Sequence, residues 1–263
     1  MQIQILDWNI SFKCHVDQII DYLKAKMRDG MPCIINLQEV RGHTYDKLKS
    51  LFGEESTAYS LNLRKRGKFE GRDREQGTAI IAVNCYLRDY SLVHASLVPE
   101  RTLSAKIEIG GESIGVLNFH SLTGKRYKRG KASNFASMAS FIYENESQLD
   151  FLCFDANEPF RDYQEWSKAE FYDNFDKGKG ASLILGKKKV HGLSDSLRSY
   201  YDDNGILNLN EPMMKSHKTK RFDYIFHSNR WAVESIDYPM EESLNASSDH
   251  SMVIGVFTKQ DLD

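Results

Sequence analysis

Residues 247–257 read S-S-D-H-S-M-V-I-G-V-F. From Met252 to Phe257 the run is apolar, as a buried strand requires, and the residues before it are small or charged. Ser, Asp and His are ordinary turn formers, so the stretch taken alone is a loop leading into a strand. The sharper reading places Asp249 and His250 at a strand end, where a rigid sheet can hold chemical groups in fixed positions. A tetrapeptide by itself favours the turn. The rest of the chain decides.

Strand-like segments rich in Ile, Val, Leu and Phe fall at 2–8, 33–38, 78–84, 103–109, 113–119, 150–154, 222–227 and 252–257. Three amphipathic helices lie between them. Val16, Ile19, Ile20, Leu23 and Met27 share one face that ends at Gly30. Tyr45, Leu48, Leu51 and Phe52 make a second face after Thr44, closed by Gly53. Ala132, Phe135, Met138, Ala139 and Ile142 make a third, and all three faces are read as core. Residues 171–220 form an irregular insertion with a short helix expected near 194–201. Strands mixed with helices in this way predict an α/β domain spanning 1–263, two packed sheets covered by helices.

Polar residues recur where these strands end. Asn9 follows the first, Glu39 the second, and His120 closes I-G-V-L-N-F. Asp155 and Asn157 follow F-L-C-F, Asp223 opens the strand of R-F-D-Y-I-F, and Asp249 and His250 precede the last. Singly, each has an ordinary explanation as a cap, a surface ion pair or a satisfied core histidine. Eight together do not.

With D-W-N, L-Q-E-V, N-F-H-S-L, F-D-A-N-E, R-F-D-Y-I-F and S-S-D-H in this order over residues 7–250, the chain resembles the endonuclease/exonuclease/phosphatase superfamily. E-Q-G-T-A-I, P-E-R-T and L-S-D-S-L-R are fainter echoes. The resemblance implies a four-layer sandwich of two packed mixed β-sheets flanked by helices, with the site where strand ends of both sheets meet. Two departures stand out. Phe154 replaces the family's Gly before D-x-N, and Ile10-Ser11 follow Trp8-Asn9 where abasic-site enzymes often carry Asp or Asn.

A phosphodiester repels nucleophiles and has a poor leaving group, so its hydrolysis needs a divalent cation, a positioned base and donors to developing charge. By resemblance, Glu39 with Asp249 offers carboxylate oxygens to Mg²⁺ or Mn²⁺, and Asn9 is a neutral ligand or an anchor. Asp155 orients or deprotonates the attacking water, and Asn157 donates to a non-bridging oxygen. His250 binds phosphate as imidazolium, paired with Asp223 and not with its sequence neighbour Asp249. His120 resembles the histidine that contacts phosphate or serves the leaving group, and Arg101 is a further phosphate-side candidate.

The formal net charge of −2 does not announce a polyanion ligand, but basic residues cluster at 64–74, 124–131, 186–189 and 215–221. The run G-K-R-Y-K-R-G-K closely follows His120, so Lys125, Arg126, Lys128 and Arg129 are candidates to follow a sugar-phosphate backbone. A nuclease or related DNA or RNA phosphodiesterase is therefore expected, with nucleic acid as partner. The alternatives are a phosphoesterase for a small molecule or lipid headgroup, and an inactive binding module; the intact set of eight residues argues against the last. No apolar stretch approaches membrane-spanning length. The start M-Q-I-Q-I-L-D-W lacks the features of a signal peptide, so a cytoplasmic location is expected. The four cysteines show no metal-binding spacing, and Cys33 and Cys153 are read as buried thiols.

Overall fold

The computed structural model of the protein describes residues 1–64, 75–172, 176–208 and 212–260. The basic run at 64–74 lies outside these residues apart from Arg64.

The first sheet is built from β1 (Gln2–Asn9), β2 (Cys33–Val40), β3 (Thr57–Tyr59), β4 (Gly77–Val83), β11 (Trp231–Asp237) and β12 (Val253–Lys259). Its strand order is β11-β12-β1-β2-β4-β3. The second contains β5 (Tyr86–Ser91), β6 (Thr102–Ile109), β7 (Glu112–His120), β8 (Phe151–Asp155), β9 (Ser194–Asp195) and β10 (Asp223–His227), in the order β5-β6-β7-β8-β10-β9. Each sheet has one parallel pair, β1–β2 and β7–β8, and is otherwise antiparallel. A parallel pair needs a crossover. Helix α1 (Val16–Lys26) supplies it in the first sheet and α5 (Arg129–Asn145) in the second.

Strand alternation divides the core into layers. Ile3, Ile5, Ile34 and Ile80 of the first sheet pack against Leu103, Ile107, Val116 and Cys153 of the second. On the outer side, Leu6, Trp8, Ile35 and Leu37 pack on Ile19 and Leu23 of α1 and on Tyr45 and Leu48 of α2 (Gly42–Phe52). Leu117, Phe119, Leu152 and Phe154 pack on Phe135, Met138 and Ile142 of α5. Helix, sheet, sheet, helix is the expected four-layer order. Each such side chain withdrawn from water contributes about 1.5–3 kcal/mol.

The inner face changes character along its strands. In β1 it runs Ile3, Ile5, Asp7, Asn9; in β7 it runs Ile114, Val116, Asn118, His120; in β8 it runs Phe151, Cys153, Asp155. Parallel pairing brings the C-terminal ends of these strands to one side. The antiparallel partners β10 and β12 begin there, Asp223 opposite Asp155 and Val253 opposite Asp7.

Among the described residues, four strands were not anticipated. β3 and β9 are too short to show periodicity, and β5 is an almost fully exposed edge. β11 carries a bulge between Val233 and Ser235 that breaks the alternation of its buried Trp231, Val233 and Ile236. The expected short helix is α6 (Ser196–Asp203), and α5 starts earlier than its apolar face, at Arg129.

Candidate active site

Asp155 stands at the centre, 1% exposed, at the end of β8. Asn9 reaches across from the other sheet and donates its Nδ2 to Oδ2 at 2.9 Å, while the Asn157 backbone N–H donates to Oδ1 at 2.8 Å. His120 Nε2 lies 3.4 Å from Oδ2. Burial opposes ionisation of Asp155, but the His250 charge and these hydrogen bonds outweigh it and hold its pKa below the usual carboxylate range.

His250 and Asp223 form a buried pair, with Nδ1 2.9 Å from Oδ2 and 3.2 Å from Oδ1. The His250 carbonyl accepts from Trp8 Nε1 at 2.9 Å and its N–H donates to Ser248 Oγ at 3.0 Å, which fixes the ring's base. Burial works against its charge; Asp223, Asp155 and Asp249 prevail and push its pKa up to about 10. His120 is the opposite case. Burial, then the nearby Arg101 and His250 charges, press it down to about 3, so its imidazole is neutral at physiological pH. Two histidines thus face one carboxylate in different protonation states.

Glu39 owes its position to a bulge. The β2–β4 register slips between Leu37 and Val40, and Glu39 adopts the left-handed φ of 59° that a bulge residue can take. Gly77, opposite Val40, is required there: a Cβ would lie 2.5 Å from Ser60 Oγ. Ser60, which opens α3 (Ser60–Leu63), donates its Oγ–H to the Glu100 carbonyl at 2.6 Å and accepts from Thr78 N–H at 2.9 Å, which pins the turn Pro99–Arg101 to β4. Arg101 is therefore held at the cleft wall, and its buried Nε has no partner among the described residues.

Glu39, Arg101, His120, Asp155, Asn157 and His250 line a cleft of about 580 Å³, and Asn9 and Asp223 sit behind its wall. Glu39 Oε2 accepts the Phe12 N–H at 3.0 Å, and Oε1 lies 4.0 Å from His120 Nε2. Burial and the neighbouring Asp155 raise the Glu39 pKa. A hard carboxylate so placed fits a divalent cation, which would relieve both effects. Asn9 faces Asp155 through its amide nitrogen while its oxygen accepts from Ser11 N–H at 3.0 Å, so here it anchors Asp155. Asp249 is exposed on the cleft rim, grouped with His217 and His250.

The basic run divides. Arg126 in α4 (Gly124–Tyr127) lines the cleft, and Lys125 lines an adjoining hollow. Lys128 lines a separate depression with Glu158, and Arg129 opens α5. Lys131, the last of the run, is buried: its ammonium donates to Glu158 Oε1 and to the Asn157 carbonyl, both at 2.7 Å. It sets the loop that presents Asn157.

Two groups escaped the sequence reading. His217 packs its ring 4.3 Å from that of His250 and donates Nδ1–H to the Asp249 carbonyl at 3.0 Å; its only signal was membership of the basic run 215–221. Arg221, fully buried, donates to Asp195 at 2.6 and 2.8 Å, to Asp162 at 3.0 Å and to the Tyr238 hydroxyl at 3.0 Å. Arg198 joins the same two carboxylates. Tyr238 in turn donates to the Asp223 carbonyl at 3.1 Å, so this network buttresses the partner of His250.

No family model and no curated protein matches the sequence. Solved structures do match. An endonuclease/exonuclease/phosphatase from Bacteroides vulgatus aligns at TM-score 0.63 and 13% identity, covering 99% of this chain and 100% of that one. This is the endonuclease/exonuclease/phosphatase fold. The same fold is shared with the human Nocturnin catalytic domain with bound sulfate anion, at TM-score 0.65 and 16% identity, covering 98% of this chain and 95% of that one. D. rerio TDP2 complexed with single strand DNA product aligns at TM-score 0.63 and 14% identity, covering 98% and 99%. Within the endonuclease/exonuclease/phosphatase fold, the strand ends that bear Asn9, His120, Asp155 and Asp223 meet at one edge of the sandwich.

Proposed function

We propose that the protein is a divalent-metal-dependent phosphodiesterase that hydrolyses nucleic acid by activated-water attack. One observation supports this above the rest: Asp155, kept ionised, lies between a neutral His120 and a cationic His250 in a single cleft. Asp155 orients the attacking water through a carboxylate fixed at Oδ2 by Asn9 and at Oδ1 by the Asn157 backbone N–H. Its low pKa suits it to align the water's proton more than to remove it early. Asn157 Nδ2 and the His250 imidazolium donate to the non-bridging oxygens as charge builds on them. Arg101 supplies a further cation at the phosphate side, and neutral His120 hydrogen-bonds phosphate or the departing oxygen.

Glu39 would hold Mg²⁺ or Mn²⁺, with Asp249 facing the same cleft. Bound there, the ion would polarise the phosphoryl group and offset charge on the leaving oxygen. For substrate class, Arg126 and Lys125 continue the positive surface outward, and a protein of the same fold, D. rerio TDP2, is described with a single-strand DNA product. A small phosphate ester is the second reading, favoured by a cleft of only about 580 Å³.

Plasmid DNA, single-stranded RNA, a tyrosyl-DNA mimic, bis(p-nitrophenyl) phosphate and p-nitrophenyl phosphate, each with Mg²⁺ and with EDTA, test the assignment. Metal-dependent cleavage of the diesters is expected. Turnover confined to the monoester would overturn the diesterase reading, and full activity in EDTA would overturn the metal.

A further inference from the structure

A second hollow, of about 340 Å³, adjoins the cleft and shares Thr123 and Asn157 with it. Its other walls are Gly124, Lys125, Lys131, Tyr172 and Phe222. Aromatic rings run from the site into it. His217 lies 4.3 Å from His250 and stacks on Phe222 at 5.7 Å with an interplanar angle of 16°. Tyr172 follows at 6.4 Å from Phe222, and Phe160 at 5.4 Å from Tyr172. Cations accompany the rings: Lys131 sits 5.7 Å over Tyr172 and Lys220 3.6 Å over Phe160.

Rings at such spacing are most often core. Phe222 is buried, at 7% exposure, and backs the row; Phe160 and Tyr172 belong to none of the three buried apolar clusters among the described residues, and Phe160 is 37% exposed. Partly exposed rings beside the exposed Lys125 and the half-buried Lys220 suit one ligand chemistry above others. Unstacked bases lie on the rings while the phosphates between them meet ammonium groups. The hollow has the volume of a small-ligand site, roughly 300 Å³ or more, which is room for one nucleotide.

We propose that the substrate is a single strand, and that next to the scissile phosphate it places one base on Tyr172 with its phosphate toward Lys125. A duplex cannot use this subsite, because its bases are already stacked on one another. The proposal rests on the phosphodiesterase reading for the location of the scissile phosphate.

Binding and turnover are measured separately. In EDTA, anisotropy of a fluorescent eight-nucleotide single strand should show binding that is tighter than for the matching duplex. Tyr172→Ala should weaken that binding by about tenfold, the effect of losing one stacked base, and Tyr172→Phe should restore it. With Mg²⁺, the rise in KM from Tyr172→Ala should be at least fivefold larger for the octamer than for bis(p-nitrophenyl) phosphate, which has no second nucleotide. Equal binding of duplex and single strand would overturn the proposal, as would equal losses on both substrates. Diester turnover without any oligonucleotide binding would sink the subsite and leave the diesterase reading standing. If nothing is turned over, the diesterase reading fails, and the anisotropy series alone decides the subsite.

Discussion

Replacing Asp223 by Asn removes a charge and keeps the side chain's shape, which isolates what the carboxylate does for His250. In the native pair the imidazolium persists until the pH approaches about 10. At pH 8 that leaves about 99% of His250 charged, against about 3% for a histidine of ordinary pKa near 6.5, a thirtyfold difference. Among the described residues the groups facing His250 are Asp223, Asp155, Asp249, Glu39, Asp7 and the neutral His217 and His120, and of these only Asp223 hydrogen-bonds its ring. With that carboxylate gone, burial dominates and the pKa falls. The variant's kcat/KM relative to wild type should therefore drop about twentyfold to thirtyfold between pH 6 and pH 8. An NMR titration of the imidazole should show His250 charged to at least pH 9 in wild type and titrating below about 7 in the variant. The stability sign agrees. A histidine raised on folding adds stability in full below its unfolded pKa and loses it as pH climbs towards about 10, so wild-type Tm should decline over pH 7–10 more than that of the variant. His250→Gln alone should lower kcat by on the order of a hundredfold, and adding Asp223→Asn should change little more. A variant-to-wild-type ratio that stays flat with pH, or strict additivity of the two substitutions, would refute the pairing.

EDTA should abolish activity and Mg²⁺ or Mn²⁺ restore it, with Glu39→Gln raising the metal concentration for half-activity by about tenfold or more, on the scale of lost metal-site contacts. Because burial raises the Glu39 pKa, the variant should melt no lower than metal-free wild type, and Mg²⁺ should raise Tm only in wild type. Neutralising Lys125 and Arg126 together should weaken single-strand binding and reduce the slope of log K against log salt by roughly one to two, whereas neutralising Lys128 and Arg129 should change it less. Lys131→Met strands Glu158 in the interior and should lower unfolding free energy by about 3–5 kcal/mol in urea titrations, with partial recovery on adding Glu158→Gln.

The fold was legible because its strands are short apolar runs with period-two alternation, and because three helices show one apolar face each. What escaped was structure without that signal. An exposed edge such as β5 buries too little to pattern its sequence, and the bulge in β11 moves the apolar positions out of step. The site was legible for a related reason. Asp7, Asn9, Asn118, His120 and Asp155 continue the inward-facing positions of Ile3, Ile5, Ile114, Val116, Phe151 and Cys153, so polar residues appear where the alternation calls for apolar ones. A strand that switches character at its end is visible in one dimension.

The second tier of residues is not visible that way, because its meaning lies in pairing across the chain. Lys131 sits in a basic run and looks like its neighbours, yet it is buried against Glu158, 27 residues on. Arg221 also belongs to a basic run, and only the fold brings Asp162 and Asp195 to it, 59 and 26 residues away. Both could be taken for surface charge, since an unpaired Lys or Arg is almost never fully buried. Their burial has a consequence for the chemistry. Arg221 and Arg198 neutralise Asp162 and Asp195 beside the strand that carries Asp223, so these carboxylates add no net negative charge behind it. His250 then takes its field from Asp223, Asp155 and Asp249, which lie on the cleft side. Replacing Arg221 by Met should therefore do more than destabilise. Burial and the neighbouring Asp155 already push the Asp223 pKa up to about 6; uncovering buried carboxylates behind it should raise that pKa further and carry the acid limb of kcat/KM upward from about pH 6, whereas a purely structural defect would lower activity equally at every pH.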